Sequence, residues 1–390
     1  MDFSLTSEQE LMVETATRIG EQYGLDYWRE LDAKGVYPHE MWRAICDAGL
    51  CGVALPEEHG GAGLGMLDMV LVLEALCAGG AGCTLSQLFM LNPIFGGVAI
   101  SKYGSDEMRR ELLPHIISGK IGCCMALTEP DAGTNSLDVR TFAEADGNGW
   151  RLNGQKISIS AVPQAAKMLV IARTKKPEEA KKKTDGITLF LIDVEREGVS
   201  HSAIDKVGTR CVPASNVYFD NAPVSGDELI GTLDGGWSEL LDVLNTERIV
   251  TTAGLVGTVH LALRLAVDYA NGRKVFGDKP ISSYQGLQFP LAQAHAEIEC
   301  ARVMNYRAAS LFDAGKPFGG YANMAKLIAA QAAAEGIERA MQTMGGMGYA
   351  TEMHVERLWR DARLFRFAPI SEEMILNYIA MHELGMARGY

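Results

Sequence analysis

The hydrophobic period changes twice along this chain, and that change restricts the fold more than any other feature of the sequence. Up to about Lys120 apolar residues recur at helical spacing, which predicts helices over 39–49, 67–77, 85–102 and 106–117. Ser7, with Glu10 three residues on, predicts a capping box that opens the first helix. Between about Gly122 and Gly231 the runs shorten and fill with β-branched and apolar residues. Strands are expected over 125–127, 150–152, 157–159, 168–172, 187–194 and 216–219. Asp146-Gly147-Asn148-Gly149 and Asn153-Gly154 read as turns between them, and the charged segment 175–185 reads as a solvated hairpin loop. After Gly235-Gly236 the helical period returns, over 238–271, 284–314, 319–344, 354–364 and 371–388. Helices, a sheet and helices again make an α+β architecture rather than a βαβ one. The expected units are an N-terminal helical domain (1–120), a middle antiparallel β domain (121–232) and a C-terminal helical bundle (233–390).

Composition removes several functional classes. With 390 residues, 47% hydrophobic and 22% charged, the chain has the balance of an ordinary globular protein of two to three domains. A formal charge of −13 argues against a broad nucleic-acid or anionic-lipid surface. The start MDFSLTSEQE has no basic or apolar leader region, so no export signal is expected. The longest apolar stretch, 85–100, is broken by Gln87, Asn92 and Pro93, so no membrane span is expected and a cytoplasmic location follows. The cysteines hold no C-x-x-C pair and the histidines no H-x-x-x-H pair, so no metal site and reduced, buried thiols are expected. The glycine-rich stretch 56–63 lacks the strand and βαβ unit of a dinucleotide fingerprint and reads as a plain turn.

Two segments could carry chemistry. Thr128-Glu129-Pro130-Asp131-Ala132-Gly133-Thr134-Asn135 follows a strand, and its hydroxyls and glycine-exposed N–H groups suit a polar cofactor or phosphate. Glu247 shares a helix face with Val243, Leu244, Val250 and Thr251. A carboxylate on an apolar face is costly, so it is either paired with a basic group from elsewhere or functional.

The order of motifs resembles the acyl-CoA dehydrogenase family across nearly the whole length. The Pro-Glu-Glu-His-Gly-Gly loop, Leu127-Thr128-Glu129-Pro130-Asp131-Ala132-Gly133-Thr134, Asn153-Gly154-Gln155-Lys156, Arg273-Lys274-Val275-Phe276-Gly277, Gln342-Thr343-Met344-Gly345-Gly346-Met347-Gly348-Tyr349 and Arg360-Asp361-Ala362 follow one another in family order. The opening and the Asn-Gly-Gln-Lys stretch look nearest to bacterial crotonobetainyl-CoA reductase-like members. The resemblance implies FAD, an acyl-CoA substrate, an electron-transfer flavoprotein as electron partner, and a homotetramer built as a dimer of dimers. It would place Met125, Leu127 and Thr128 on the flavin ring, Gly133 and Thr134 beside ring and substrate, and Ser160 at flavin N5. Arg273 and Phe276, with Gln285, would hold the diphosphate and adenine side from a neighbouring subunit. Gln342, Gly345 and Gly346 would complete that site, and Ser371 and Glu373 would meet the adenosine end. Asn245, Arg248 and Thr134 would face the substrate.

Departures from the family pattern sharpen the expectation. Many relatives carry their base as a C-terminal Glu; that position here is Pro369, which also lacks the backbone N–H that would polarise the thioester carbonyl. The isovaleryl- and long-chain-type members carry the base in a motif like Leu244-Asn245-Thr246-Glu247-Arg248, so Glu247 is the expected base. Ser158 stands where a bulky aromatic packs by the flavin, which leaves room for a bulky, branched or aromatic acyl group. Asn135 replaces an aspartate of the signature. The alternatives are an offshoot with other chemistry (an enoyl-CoA reductase, a desulfinase or a flavin oxidase) and a catalytically silent subunit of a hetero-oligomer.

Overall fold

The computed structural model describes residues 4–387. Arg388, the last residue of the expected final helix, lies outside the described residues, as do the first three positions. The N-terminal block is helical: α1 (Ser7–Gln22), α2 (Leu25–Lys34), α3 (His39–Asp47), α4 (Met66–Leu76), α5 (Thr84–Phe89), α6 (Ala99–Tyr103) and α7 (Asp106–Ile117). The capping box sits one residue earlier than expected. Thr6 Oγ1 accepts from the Gln9 N–H at 3.2 Å and the Gln9 side chain accepts from the Thr6 N–H at 3.0 Å. Between α5 and α6 the helix widens into π-type turns over Met90–Val98, where Pro93 has no N–H to donate.

The middle block holds β1 (Cys123–Ala126), β2 (Phe142–Asp146), β3 (Gly149–Ser160), β4 (Lys167–Arg173), β5 (Ile187–Asp193), β6 (Val199–Ile204), β7 (Ala214–Val224) and β8 (Leu229–Ile230). Their order is β6-β7-β3-β2-β4-β5-β8, with β1 beside β4. Most pairs are antiparallel, but β1 and β4 run parallel, and β2 meets β4 in parallel at Phe142–Arg173. Asn153-Gly154 is not a turn. The two short strands expected around it are the ends of β3, and Gly154 marks an irregularity in the pairing with β7. Its φ is +149°, and a Cβ there would lie 2.6 Å from Thr141 Oγ1, so only glycine lets the strands approach.

The C-terminal block is α8 (Gly236–Gly272), α9 (Gln285–Asp313), α10 (Gly319–Met344), α11 (Val355–Arg363) and α12 (Glu372–Tyr378). α8 is the central element, packing on α4, α5, α9, α10 and β5, so from Thr246 to Val259 it is buried on every side. Two segments, Thr84–Tyr103 and Gly236–Gly272, are long and apolar enough to cross a membrane, but 94% and 83% of their apolar windows are buried inside the fold, as in core helices. Every cysteine is free among the described residues, and all but Cys300 are buried.

A polar knot joins the three blocks. Asp361 on α11 accepts from Thr84 Oγ1 (2.8 Å), the Thr209 N–H (2.5 Å) and Arg357 (3.3 Å), which belong to the N-terminal block, the middle block and α11. Arg360 pairs with Asp32 of α2 at 2.7 Å and donates to Val207 O at 2.9 Å.

Candidate active site

One face is built where β1 runs out into the 127–134 segment. The Ile157 N–H donates to Thr128 O at 2.8 Å, which brings that segment against the end of β3. Beneath it Lys156, wholly buried, donates to Leu127 O at 2.9 Å and to Glu129 at 2.8 Å. Glu129 also accepts from the N–H groups of Arg140 (2.6 Å) and Thr141 (2.9 Å). Burial pushes the Glu129 carboxyl up, but Lys156 and these hydrogen bonds outweigh it and hold its pKa below the ordinary value. Burial in turn lowers the Lys156 pKa to about 8. A second irregularity of β3, between Lys156 and Ile159, puts Ser158 in the left-handed region at φ +58° and turns the strand's end outward.

At this edge Met125, Leu127 and the hydroxyl-bearing Thr128 and Ser160 are half-buried, and Ser158, also with a hydroxyl, is exposed. Those hydroxyls and that of Thr134 have no partner among the described residues. Gly133 leaves open space, since a Cβ there would meet nothing closer than Thr128 at 4.0 Å. An apolar patch edged with free hydroxyls fits a flat, polar-edged ring.

A second group sits on α8. Glu247 is 4% exposed, and its Oε2 is buried with no hydrogen-bond partner among the described residues. Burial pushes its pKa up to about 8, opposed only in part by the charges of Arg248 and Lys326. Arg248 is buried as well, bonds the Asn245 side chain through Nη1, and leaves its Nε unpaired. Burial brings its pKa down to about 10. Lys326, from α10, donates to Phe365 O at 2.6 Å and to Ile370 O at 2.7 Å. It thereby fixes both ends of the loop that carries Pro369. The same loop leads to Ser371, which caps α12 by accepting from the Met374 N–H at 3.4 Å, with Glu373 exposed next to it. Arg366 clamps Glu372 with two bonds of 2.7 Å.

The remaining expected site residues lie elsewhere in the chain. Arg273, Phe276 and Gln285 occupy the turn from α8 to α9, and all are exposed. Arg273 is 26 residues beyond Glu247 on the same helix and its cap, about 39 Å along the axis at 1.5 Å per residue. Phe276 is 99% exposed and held at φ +49°, an unusual state for an aromatic side chain. Gln342, Gly345 and Gly346 are exposed at the end of α10, and neither glycine would bring a Cβ within 4 Å of another atom.

The family models for the N-terminal, middle and C-terminal domains of acyl-CoA dehydrogenase match residues 6–120, 124–222 and 234–384. The chain is 39% identical over 370 residues to acyl-CoA dehydrogenase FadE12 of Mycobacterium tuberculosis, covering 94% of each. The chain belongs to the acyl-CoA dehydrogenase family. It is also 33% identical to a 3-(aryl)acrylate reductase of Clostridium sporogenes, covering 97% of this chain and 99% of that one. A solved glutaryl-coenzyme A dehydrogenase in complex with glutaryl-CoA superposes with a TM-score of 0.94 at 29% identity, covering 100% of this chain and 98% of the other. Like other acyl-CoA dehydrogenases, this protein is an oxidoreductase with FAD as cofactor, and the surface around Thr128 and Ser158 has the chemistry to receive it.

Sequence reasoning singled out Glu247 through its apolar stripe. It missed the supporting cations. Lys156 falls on the inward side of a strand and Lys326 in a run of buried alanines, Ala322, Ala325, Ala329 and Ala330; a lone lysine in such a context is the available signal.

Proposed function

We propose that this acyl-CoA dehydrogenase oxidises an acyl-CoA thioester between its α- and β-carbons, with Glu247 taking the α-proton and an electron-transfer flavoprotein as the electron partner. The supporting observation is Glu247 itself. A buried carboxyl with one oxygen unpartnered and a pKa pushed up to about 8 is matched to proton transfer near neutral pH. Bound FAD supplies a two-electron acceptor for the β-hydrogen. The chain's own groups do the rest. Met125, Leu127, Thr128, Gly133, Thr134, Ser158 and Ser160 seat and orient the ring. Asn245 and Arg248 line the substrate side next to the base. Lys326 holds the Pro369 loop in place.

The acyl group we assign is bulky, branched or aromatic, because Ser158 is small where relatives place an aromatic ring. We also propose a three-domain division at 120/121 and 232/233, a cytoplasmic location and a homotetramer. The family resemblance suggests the tetramer, and exposure supports a neighbour: Arg273, Phe276, Gln285, Gln342, Gly345 and Gly346 are all exposed at helix ends and turns and would serve a neighbouring subunit's FAD. Ser371 and Glu373 would meet the adenosine end.

A second reading reverses the direction. With a pKa of about 8, Glu247 is mostly protonated at pH 7 and suits donation of a proton to the α-carbon of an enoyl thioester, and one relative is a 3-(aryl)acrylate reductase. An anaerobic titration with straight-chain, branched and aryl acyl-CoA thioesters, followed by flavin absorbance, tests the proposal. Bleaching by branched or aryl thioesters is expected. Faster reoxidation of the reduced protein by arylacryloyl thioesters would establish the second reading, and no spectral change with any thioester in either direction would overturn both.

A further inference from the structure

Linear spacing shows no metal motif, yet the packing of α8 on α9 collects three ligand-type side chains, none of them among the expected site residues. His260 comes from α8, and His295 and Glu299 come from α9, where their i,i+4 spacing puts them on one face. One donor atom of each lies within 4.8 Å of the other two, and His260 Nε2 is 2.7 Å from Glu299 Oε1. We propose that His260, His295 and Glu299 form a binding site for a first-row divalent transition-metal ion, Zn²⁺ foremost, that ties α8 to α9.

The chemistry of the donors selects the ion. Two imidazoles and one carboxylate suit Zn²⁺, Ni²⁺ or Cu²⁺, whereas Mg²⁺ and Ca²⁺ prefer all-oxygen shells. A tetrahedral ion with bonds of about 2.0–2.2 Å needs donors roughly 3.3–3.5 Å apart. The present spacing brackets that value, so side-chain rotation alone closes the site, and water fills the fourth position. The backbones are already fixed, because both helices are long and packed on each other. His295 is exposed and His260 half-buried, which gives the ion a path from solvent.

The outer partner is also present. Arg302 lies 3.4 Å from the second oxygen of Glu299 and is itself held by the buried Glu74 at 2.8 Å and by Tyr306 at 2.8 Å. It leaves Oε1 for the metal and fixes the carboxylate's orientation, as outer partners of metal ligands do. Glu74 offsets its positive charge near the site.

The position gives the site a consequence. His260 is 13 residues from Glu247 and 13 from Arg273, so the ion would sit about 20 Å from either along α8. Bound there, it would clamp the helix pair whose connecting turn carries Arg273, Phe276 and Gln285. The binding claim stands independently of the reaction proposed above.

Zn²⁺ titrated calorimetrically into chelator-treated, flavin-loaded protein tests it. One ion per chain is expected, with a rise in Tm, since a ligand of the native state stabilises it by mass action. His295→Ala, at an exposed position, should weaken binding at least tenfold, as should Glu299→Gln. Cys300→Ser should leave it unchanged, because the exposed Cys300 thiol beside Glu299 is the competing explanation. Undiminished binding in His295→Ala, loss of binding in Cys300→Ser, or no stoichiometric Zn²⁺ in the parent protein would overturn the proposal.

Discussion

Asp361 and Glu247 are both buried carboxyls on helices of the C-terminal block, 1% and 4% exposed, and burial pushes the pKa of each upward. Their surroundings differ in kind. Asp361 accepts from Thr84, the Thr209 N–H and Arg357, and Arg357 is fastened in turn to Ala81 O at 2.9 Å and Gly80 O at 2.6 Å. Glu247 has two cations near it, but Arg248 bonds Asn245 and Lys326 bonds the loop carbonyls, and neither makes a hydrogen bond to it. One carboxylate is saturated and joins three parts of the chain; the other is buried and left under-coordinated. A buried group without its full set of partners costs stability, and such a cost is expected at a functional site rather than at a joint.

Asp361→Ala should therefore be the most damaging change. It strands Arg357 and removes a three-way joint, and should cost about 4 kcal/mol in denaturant unfolding. A loss under about 1 kcal/mol would mean that the knot is not structural. Lys156→Met comes next. It leaves the nearly buried Glu129 without its cation, and the expected loss is about 3 kcal/mol together with weaker FAD retention on dilution. Stability unchanged in that variant would show that the two backbone donors to Glu129 suffice.

Glu247→Gln should move stability the other way. The folded carboxyl keeps its proton to about pH 8, while the unfolded one loses it near the ordinary value of 4.5. The folded state thus binds more protons between those values, so this residue's contribution to stability falls as pH rises through that window. The glutamine variant should gain on the order of 1–2 kcal/mol over the parent at pH 8 and little at pH 4. A loss at pH 8 would reveal a hidden partner. Lys326→Met should have the smallest effect, a fall in kcat of about tenfold, roughly 1.4 kcal/mol. KM should change little and Lys326→Arg should restore part of the rate. Equal losses in both variants with reduced Tm would reassign Lys326 to simple packing.

The same contrast explains what could be read from the sequence. α7 and α10 were legible residue by residue because their apolar period is regular and Ser105 caps the first of them. The missed elements are short and bury little: in α2 only Trp28 and Asp32 are buried, in β2 only Ala143, and β6 has no buried residue. Asn153-Gly154 misled because its dipeptide marks a turn in most strand contexts, whereas here it marks a close approach to Thr141. Glu247 was visible because a charge on an apolar stripe breaks a local rule. Its lack of a partner was not, because that depends on where Arg248 and Lys326 point. Asp361 appeared only as part of a motif, since its partners lie 277 and 152 positions away.

The central claim is that Glu247 carries the substrate proton. Rapid anaerobic mixing of an acyl-CoA that bleaches the parent flavin with Glu247→Gln, both loaded with FAD, measures it directly. The bleaching rate of the parent should rise with pH to a plateau above about 8. In the variant the rate should be about 10²–10⁴-fold lower and independent of pH, with FAD content and thioester affinity retained. Bleaching at the parent rate in Glu247→Gln, or the same pH profile in both proteins, would contradict it.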